Sequence, residues 1–188
     1  GLFAGTAPGK AGPIVVKYLG NLYGKRTPRP LIEGLSRLYE QDPASLADVT
    51  IEIIGPGDAD EVARLAAALP GGLVTTRPSI GYRQSLAEMA EADGLLVIDA
   101  PAEVSVFLPS KLVDYIGSGR PVLGITPTGT AASLIRELGG IVAPPDRPDA
   151  VAAEFREFVN LLRLRRAETS LWGTRDVRER FTATRIAR

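Results

Sequence analysis

Short apolar runs alternate along this chain with longer stretches whose apolar positions recur every three or four residues. The runs at 14–20 (Ile-Val-Val-Lys-Tyr-Leu-Gly), 49–55 (Val-Thr-Ile-Glu-Ile-Ile-Gly), 72–75, 94–99 (Gly-Leu-Leu-Val-Ile-Asp), 121–125 and 140–143 predict strands. Leu31, Leu35, Leu38 and Tyr39 have helical spacing. Helices are also predicted over 58–69, with Asp58 as N-cap, and over 82–92, 109–118 and 130–138. Two further helical stretches, 149–165 and 170–185, close the chain. Most of the strands lack polar alternation, which marks a parallel sheet buried on both faces. The expected architecture is a Rossmann-like three-layer α/β/α domain over 14–165, with about six parallel strands. A Gly-, Ala- and Pro-rich linker or extension at 1–13 precedes it, and a C-terminal helix at 166–188 follows.

Composition narrows the chemistry. The 188 residues suffice for one domain with a real core, and 45% hydrophobic with 23% charged is ordinary for a globular chain. Net charge is zero, so no overall basic field points to nucleic acid or an anionic membrane. No cysteine is present, which removes disulfides and thiolate nucleophiles and fits a reducing compartment. No histidine is present either, so any catalysis must use carboxylates, cations, hydroxyls and backbone amides. No apolar run approaches the roughly 18 residues that span a bilayer. The chain does not begin with methionine and is expected to be a piece of a longer protein or a processed form.

Candidate chemistry gathers in the loops that follow strands, which face the ligand crevice in this architecture. Gly20-Asn-Leu-Tyr-Gly-Lys-Arg-Thr-Pro-Arg29 follows the first strand and carries Lys25, Arg26 and Arg29, either as a diphosphate screen or as a solvated basic loop. Thr76 to Tyr82 leads from the third strand into a helix. Its backbone could meet a base edge with Pro78 or Ile80 against the face, and an ordinary connecting loop is the plainer reading. Thr126-Pro-Thr-Gly-Thr130 opens another helix, whose free amides could attract an anion or whose Thr130 could simply be an N-cap. Gly5-Thr-Ala-Pro-Gly-Lys10 fails as a P-loop, because its spacing is one residue short and Ala11 stands where Ser or Thr would hold Mg²⁺. Gly55-Pro-Gly-Asp58 has two of the three glycines of a dinucleotide fingerprint and reads as a turn. The strongest pair is Lys111 and Asp114, three residues apart on one helix face. As a surface ion pair it would be worth only about 0.2–0.5 kcal/mol. Its place between the 107–109 loop and the Gly117-Ser-Gly119 turn favours a phosphate-binding cation beside a hydroxyl-binding carboxylate.

Three segments together resemble the C-terminal, donor-binding half of GT-B-fold glycosyltransferases, specifically the bacterial group that builds capsules and other cell-surface glycans. They are Tyr18-Leu-Gly-Asn-Leu-Tyr-Gly-Lys-Arg-Thr-Pro, Ser85-Leu-Ala-Glu-Met-Ala-Glu-Ala-Asp-Gly-Leu-Leu-Val-Ile, and 107–124 (Phe-Leu-Pro-Ser-Lys-Leu-Val-Asp-Tyr-Ile-Gly-Ser-Gly-Arg-Pro-Val-Leu-Gly). The resemblance covers about residues 14–143. It implies that Arg26 (with Lys25 as the alternative) and Lys111 stabilise the departing nucleoside diphosphate. Ser110 with nearby amides would bind the β-phosphate, Asp114 the ribose, and the loop with Arg77, Pro78 and Ile80 the base, largely through main chain. The donor would be a nucleoside diphosphate sugar, with no cofactor and no obligatory metal. The acceptor, a glycan or a lipid-linked glycan, would be held by an N-terminal domain that this chain lacks. No nucleic-acid partner and no integral membrane segment are expected. The implied location is cytoplasmic, with peripheral attachment to the inner membrane through the full-length protein left open.

The match departs from the family at one point. Many members carry two Glu residues eight positions apart around this helix, and here those positions hold Val106 and Asp114. No catalytic residue is assigned from the sequence. Two other readings stand beside the transferase. A sugar-nucleotide 2-epimerase shares the two-domain fold, although histidine is common among those enzymes. A non-enzymatic nucleotide-binding or scaffold domain would keep the fold without its chemistry.

Overall fold

The computed structural model describes residues 12–55, 57–106, 108–166, 168 and 170–180. The Gly5–Lys10 motif, Phe107 and the predicted helix beyond residue 180 lie outside the described residues. The first half of the chain runs β1 (Ile14–Leu19), α1 (Arg29–Gln41), β2 (Val49–Ile54), α2 (Ala59–Leu65), β3 (Val74–Arg77), α3 (Tyr82–Glu91) and β4 (Gly94–Ile98). The second half runs β5 (Val104–Ser105), α4 (Ser110–Ser118), β6 (Val122–Ile125), β7 (Thr128–Gly129), α5 (Thr130–Glu137), β8 (Ile141–Ala143), α6 (Pro148–Arg165) and α7 (Arg175–Arg180).

Six strands form one parallel sheet in the order β3-β2-β1-β4-β6-β8. Residues alternate between its two faces, because successive Cβ atoms of a strand point oppositely. Ile14, Val16 and Tyr18 of β1, Ile51 and Ile53 of β2, and Leu96 and Ile98 of β4 pack with α1 and α6. Leu95 and Val97 of β4, with Val122 of β6, face α3, α4 and α5 instead. Phe155 and Phe158 of α6 are fully buried in the first layer, where truncation of an aromatic to Ala costs about 3–5 kcal/mol. The helices on both faces explain why the strands read as continuous apolar runs. No helix among the described residues is long and apolar enough to cross a membrane.

Local chemistry sets the helix ends. The Asp58 carboxylate accepts from Glu61 N–H at 2.8 Å and caps α2, as its sequence position predicts. α4 ends at Gly119, whose φ of 66° is left-handed and turns the chain directly into β6. Three expectations shift. The third strand begins at Val74 and not Gly72, because residues 70–73 form a turn closed by Leu73 N–H to Pro70 O at 3.1 Å. The cap of α5 is Gly129, with Thr130 the first helical residue, so Thr130 is not the N-cap. The stretch from residue 170 is first a loop, in which Trp172 is buried beside α4 and donates its N–H to Gly119 O at 2.9 Å. The two-residue strands β5 and β7, which pair in parallel as a separate small sheet, are too short to carry a sequence period.

Candidate functional site

The strand order turns back on itself between β1 and β4, the position at which open α/β sheets leave a crevice beyond the strand ends. Pairing of β1 with β4 stops at Tyr18–Leu96, while β1 continues along β2 to Leu19 and β4 continues along β6 to Ile98. The two strands therefore part, and a cavity of about 270 Å³ opens between them. The strands contribute Tyr18, Leu19 and Val97 to its wall; Arg26 comes from the first loop, and Ser110 and Lys111 from the start of α4. Tyr115, buried on α4, receives Leu19 N–H on its hydroxyl at 3.0 Å and fixes that helix against the end of β1. Burial drives the Tyr18 phenol up to about 12, against the pull of the Arg26 charge, so it stays a neutral hydrogen-bonding group on the wall.

No side chain caps the N-terminus of α4, which opens on this cavity. Uncapped amides and the helix dipole make such an end favourable for an anion. The Lys111 ammonium donates to Ser85 Oγ at 3.0 Å, lies 3.6 Å from Asp114 Oδ2 and sits 5.3 Å from the centre of the Tyr82 ring. The Tyr82 hydroxyl donates to Asp114 Oδ1 at 3.2 Å, and that carboxylate raises the phenol above its ordinary range. Arg26 donates to Asp99 Oδ1 at 3.1 Å and stacks 5.4 Å from the Tyr23 ring centre.

The fold therefore brings Arg26, Ser110 and Lys111 to one cavity. Asp114 stands one turn along α4, outside the described lining, and joins the group through Lys111 and Tyr82. Lys25 is solvent-exposed, and Arg29 pairs with Glu33 at 3.6 Å, so of the first loop's cations Arg26 is the one on the cavity wall. Arg77 turns its guanidinium away into a salt-bridge cluster, 2.6 Å from Glu88 and 3.4 Å from Glu52. Pro78 is exposed, and Ile80 packs against the α3–α4 core. Val106 is 88% exposed and offers no acceptor at the position where the resemblance in sequence implies Glu. Sequence reasoning passed over Asp99, Tyr115 and Tyr82. The one available signal was Asp99 itself, an acidic residue ending an apolar strand.

A larger cavity, about 570 Å³, lies at the other end of the sheet, lined by Tyr39, Asp48, Thr50 and the 70–73 turn among others. Its described lining contains no cation, and its Asp48 carboxylate is already paired with Arg163 at 2.5 Å. Among the described residues, no group of three or more acidic side chains is gathered in one place.

No protein-family model matches the chain, and no curated protein matches it in sequence. Solved structures match it in fold. WaaG, a glycosyltransferase involved in lipopolysaccharide biosynthesis, superposes with a TM-score of 0.65 at 22% identity, over 92% of this chain and 43% of that one. The lipopolysaccharide outer core galactosyltransferase WaaB gives 0.64 at 18% identity, over 95% and 48%. The pneumococcal O-GlcNAc transferase GtfA, in complex with UDP and GlcNAc, gives 0.61 at 15% identity, over 93% and 36%. The fold is that of a GT-B glycosyltransferase domain, as the resemblance in sequence implies. The chain spans less than half the length of each of these structures.

Proposed function

We propose that this chain is the donor-binding part of a glycosyltransferase that takes a nucleoside diphosphate sugar and serves cell-surface glycan synthesis. The observation that carries the reading is the single cavity shared by Arg26 and the uncapped α4 start with Ser110 and Lys111. Two cations and a helix N-terminus converge there, which suits a diphosphate. Arg26 and Lys111 grip the diphosphate, with Lys25 as a more distant cation, and Ser110 with the first α4 amides takes the β-phosphate. Asp114 accepts from the ribose hydroxyls, and the 77–80 loop meets the base through main chain, since the Arg77 side chain is engaged elsewhere. Fixed donors aimed at a departing diphosphate stabilise the transition state electrostatically and need no imidazole or metal. The acceptor, a glycan or lipid-linked glycan, belongs to a further domain, and no catalytic base is assigned within this chain. The likeness to a GtfA structure holding UDP supports the donor class.

The test is calorimetric titration of the chain and its variants with uridine and guanosine diphosphates (UDP and GDP), with and without Mg²⁺. Saturable binding that falls about tenfold or more in Lys111→Ala and in Asp114→Ala supports these roles. Unchanged affinity in both variants refutes them, and dependence on Mg²⁺ refutes the metal-free site.

A further inference from the structure

Asp99 places a negative charge beside a cavity read above as a site for a doubly charged anion. Left to itself, that carboxylate would oppose the ligand. Its surroundings give it another task. Asp99 is 4% exposed, and a buried carboxylate requires a countercharge. Its Oδ1 accepts from Ala100 N–H at 2.8 Å and from Arg26 Nη2 at 3.1 Å, and its Oδ2 accepts from the Ser105 hydroxyl at 3.3 Å. The carboxylate is thus tied to the end of β4 and to β5 before it meets the guanidinium. β5 is itself held in place: Ser105 pairs with Gly129 of β7, so closely that a Cβ at Gly129 would stand 1.8 Å from Ser105 O.

We propose that Asp99 is a positioning residue, which sets the Arg26 guanidinium at the cavity before a diphosphate arrives. The proposal rests on the donor-site reading. Arginine carries a long flexible stem, and its planar head offers five N–H donors in a fixed fork. One edge can stay on Asp99 while another meets phosphate oxygens. The Tyr23 ring, 5.4 Å from the guanidinium carbon, bounds it on another side. Arg26 and Asp99 form a neutral pair within the fold, so Arg26 is ordered on folding and not on binding.

The test separates the phosphate contribution from the rest of the site. The 188-residue chain is titrated with whichever of UDP or GDP it binds and, by ligand-observed NMR, with the matching nucleoside, which lacks phosphate. Asp99→Ala is expected to weaken the diphosphate about tenfold and leave the nucleoside unchanged. Asp99→Asn, which keeps an oxygen for Arg26, recovers affinity to within about threefold of the parent chain. Ser105→Ala leaves the buried pair intact, so it tests the same idea if Asp99→Ala does not fold; it costs the diphosphate alone about threefold. Arg26→Ala/Asp99→Ala binds the diphosphate no more weakly than Arg26→Ala alone, because Asp99 favours the ligand only through Arg26. Tighter or unchanged diphosphate binding in Asp99→Ala overturns the proposal, as does an equal loss for diphosphate and nucleoside in that variant. A parent chain that binds neither diphosphate overturns the donor-site reading and this inference together.

Discussion

Two groups of charged side chains lie on the sheet, and they are built to different ends. Under α3, Lys17 of β1 is 5% exposed; its ammonium lies 2.5 Å from Glu88 and 3.6 Å from Glu52, and Arg77 reaches both carboxylates. Two cations and two carboxylates close on one another there. In the β1–β4 crevice, Arg26 with Asp99 and Lys111 with Asp114 are also paired, yet Arg26 and Lys111 border a cavity at an uncapped helix end. Ion pairing alone is therefore no sign of a site in this fold. What separates the two is the open space and the helix start without a side-chain cap next to the charges.

The comparison breaks most sharply at Glu88. Glu88→Ala leaves Lys17 buried with only the more distant Glu52, and is expected to cost about 3–5 kcal/mol in urea denaturation. The Lys17→Met/Glu88→Leu double variant should regain much of that loss, since apolar replacement of a whole buried pair is often neutral. Lys111→Ala is expected to do the reverse, barely moving the denaturation midpoint while costing about 1.5–3 kcal/mol of diphosphate binding by calorimetry. A stability loss as large as that of Glu88→Ala would show that Lys111, too, is structural.

Gly119→Ala probes how α4 is delivered to the crevice. A Cβ there meets Leu171 Cδ2 at 2.7 Å and sits on a left-handed backbone, so a loss of about 1–2 kcal/mol in thermal unfolding is expected. The smallest effect is a pH dependence. The Arg77 hydrogen bond, with help from Lys17, holds the Glu88 carboxyl below its usual range. A depressed folded pKa means stability that is complete above the unfolded value, about 4.3, and lost as pH falls through the folded one. Glu88→Gln is expected to flatten the acid limb of the stability curve below that value, read from urea midpoints across the range. An unchanged limb would assign the acid sensitivity to other carboxylates.

The strands and helices that frame the crevice were legible because burial on both faces leaves uninterrupted apolar runs, as at residues 94–98 and 122–125. The α4 segment was legible because Ser110, Lys111, Asp114 and the Gly119 turn lie within a few residues of one another. The pairing of Arg26 with Asp99 bridges 73 positions, and that of Lys17 with Glu88 bridges 71, so no local pattern marks either. Lys17 lies inside an otherwise apolar run, and only its partners across the sheet explain it. Arg77 reads in sequence as part of a base-binding loop, whereas its side chain belongs to the closed cluster.

The central claim is that a nucleoside diphosphate binds between the ends of β1 and β4. The most direct measurement is amide chemical-shift mapping of the isotope-labelled chain during titration with UDP and with GDP. The account predicts saturable shifts at Gly20 to Arg26 and at Ser110 to Asp114, with the amides around Asp48 and Gly71 by the larger cavity unmoved. Shifts confined to that larger cavity, or none with either nucleotide, would contradict it.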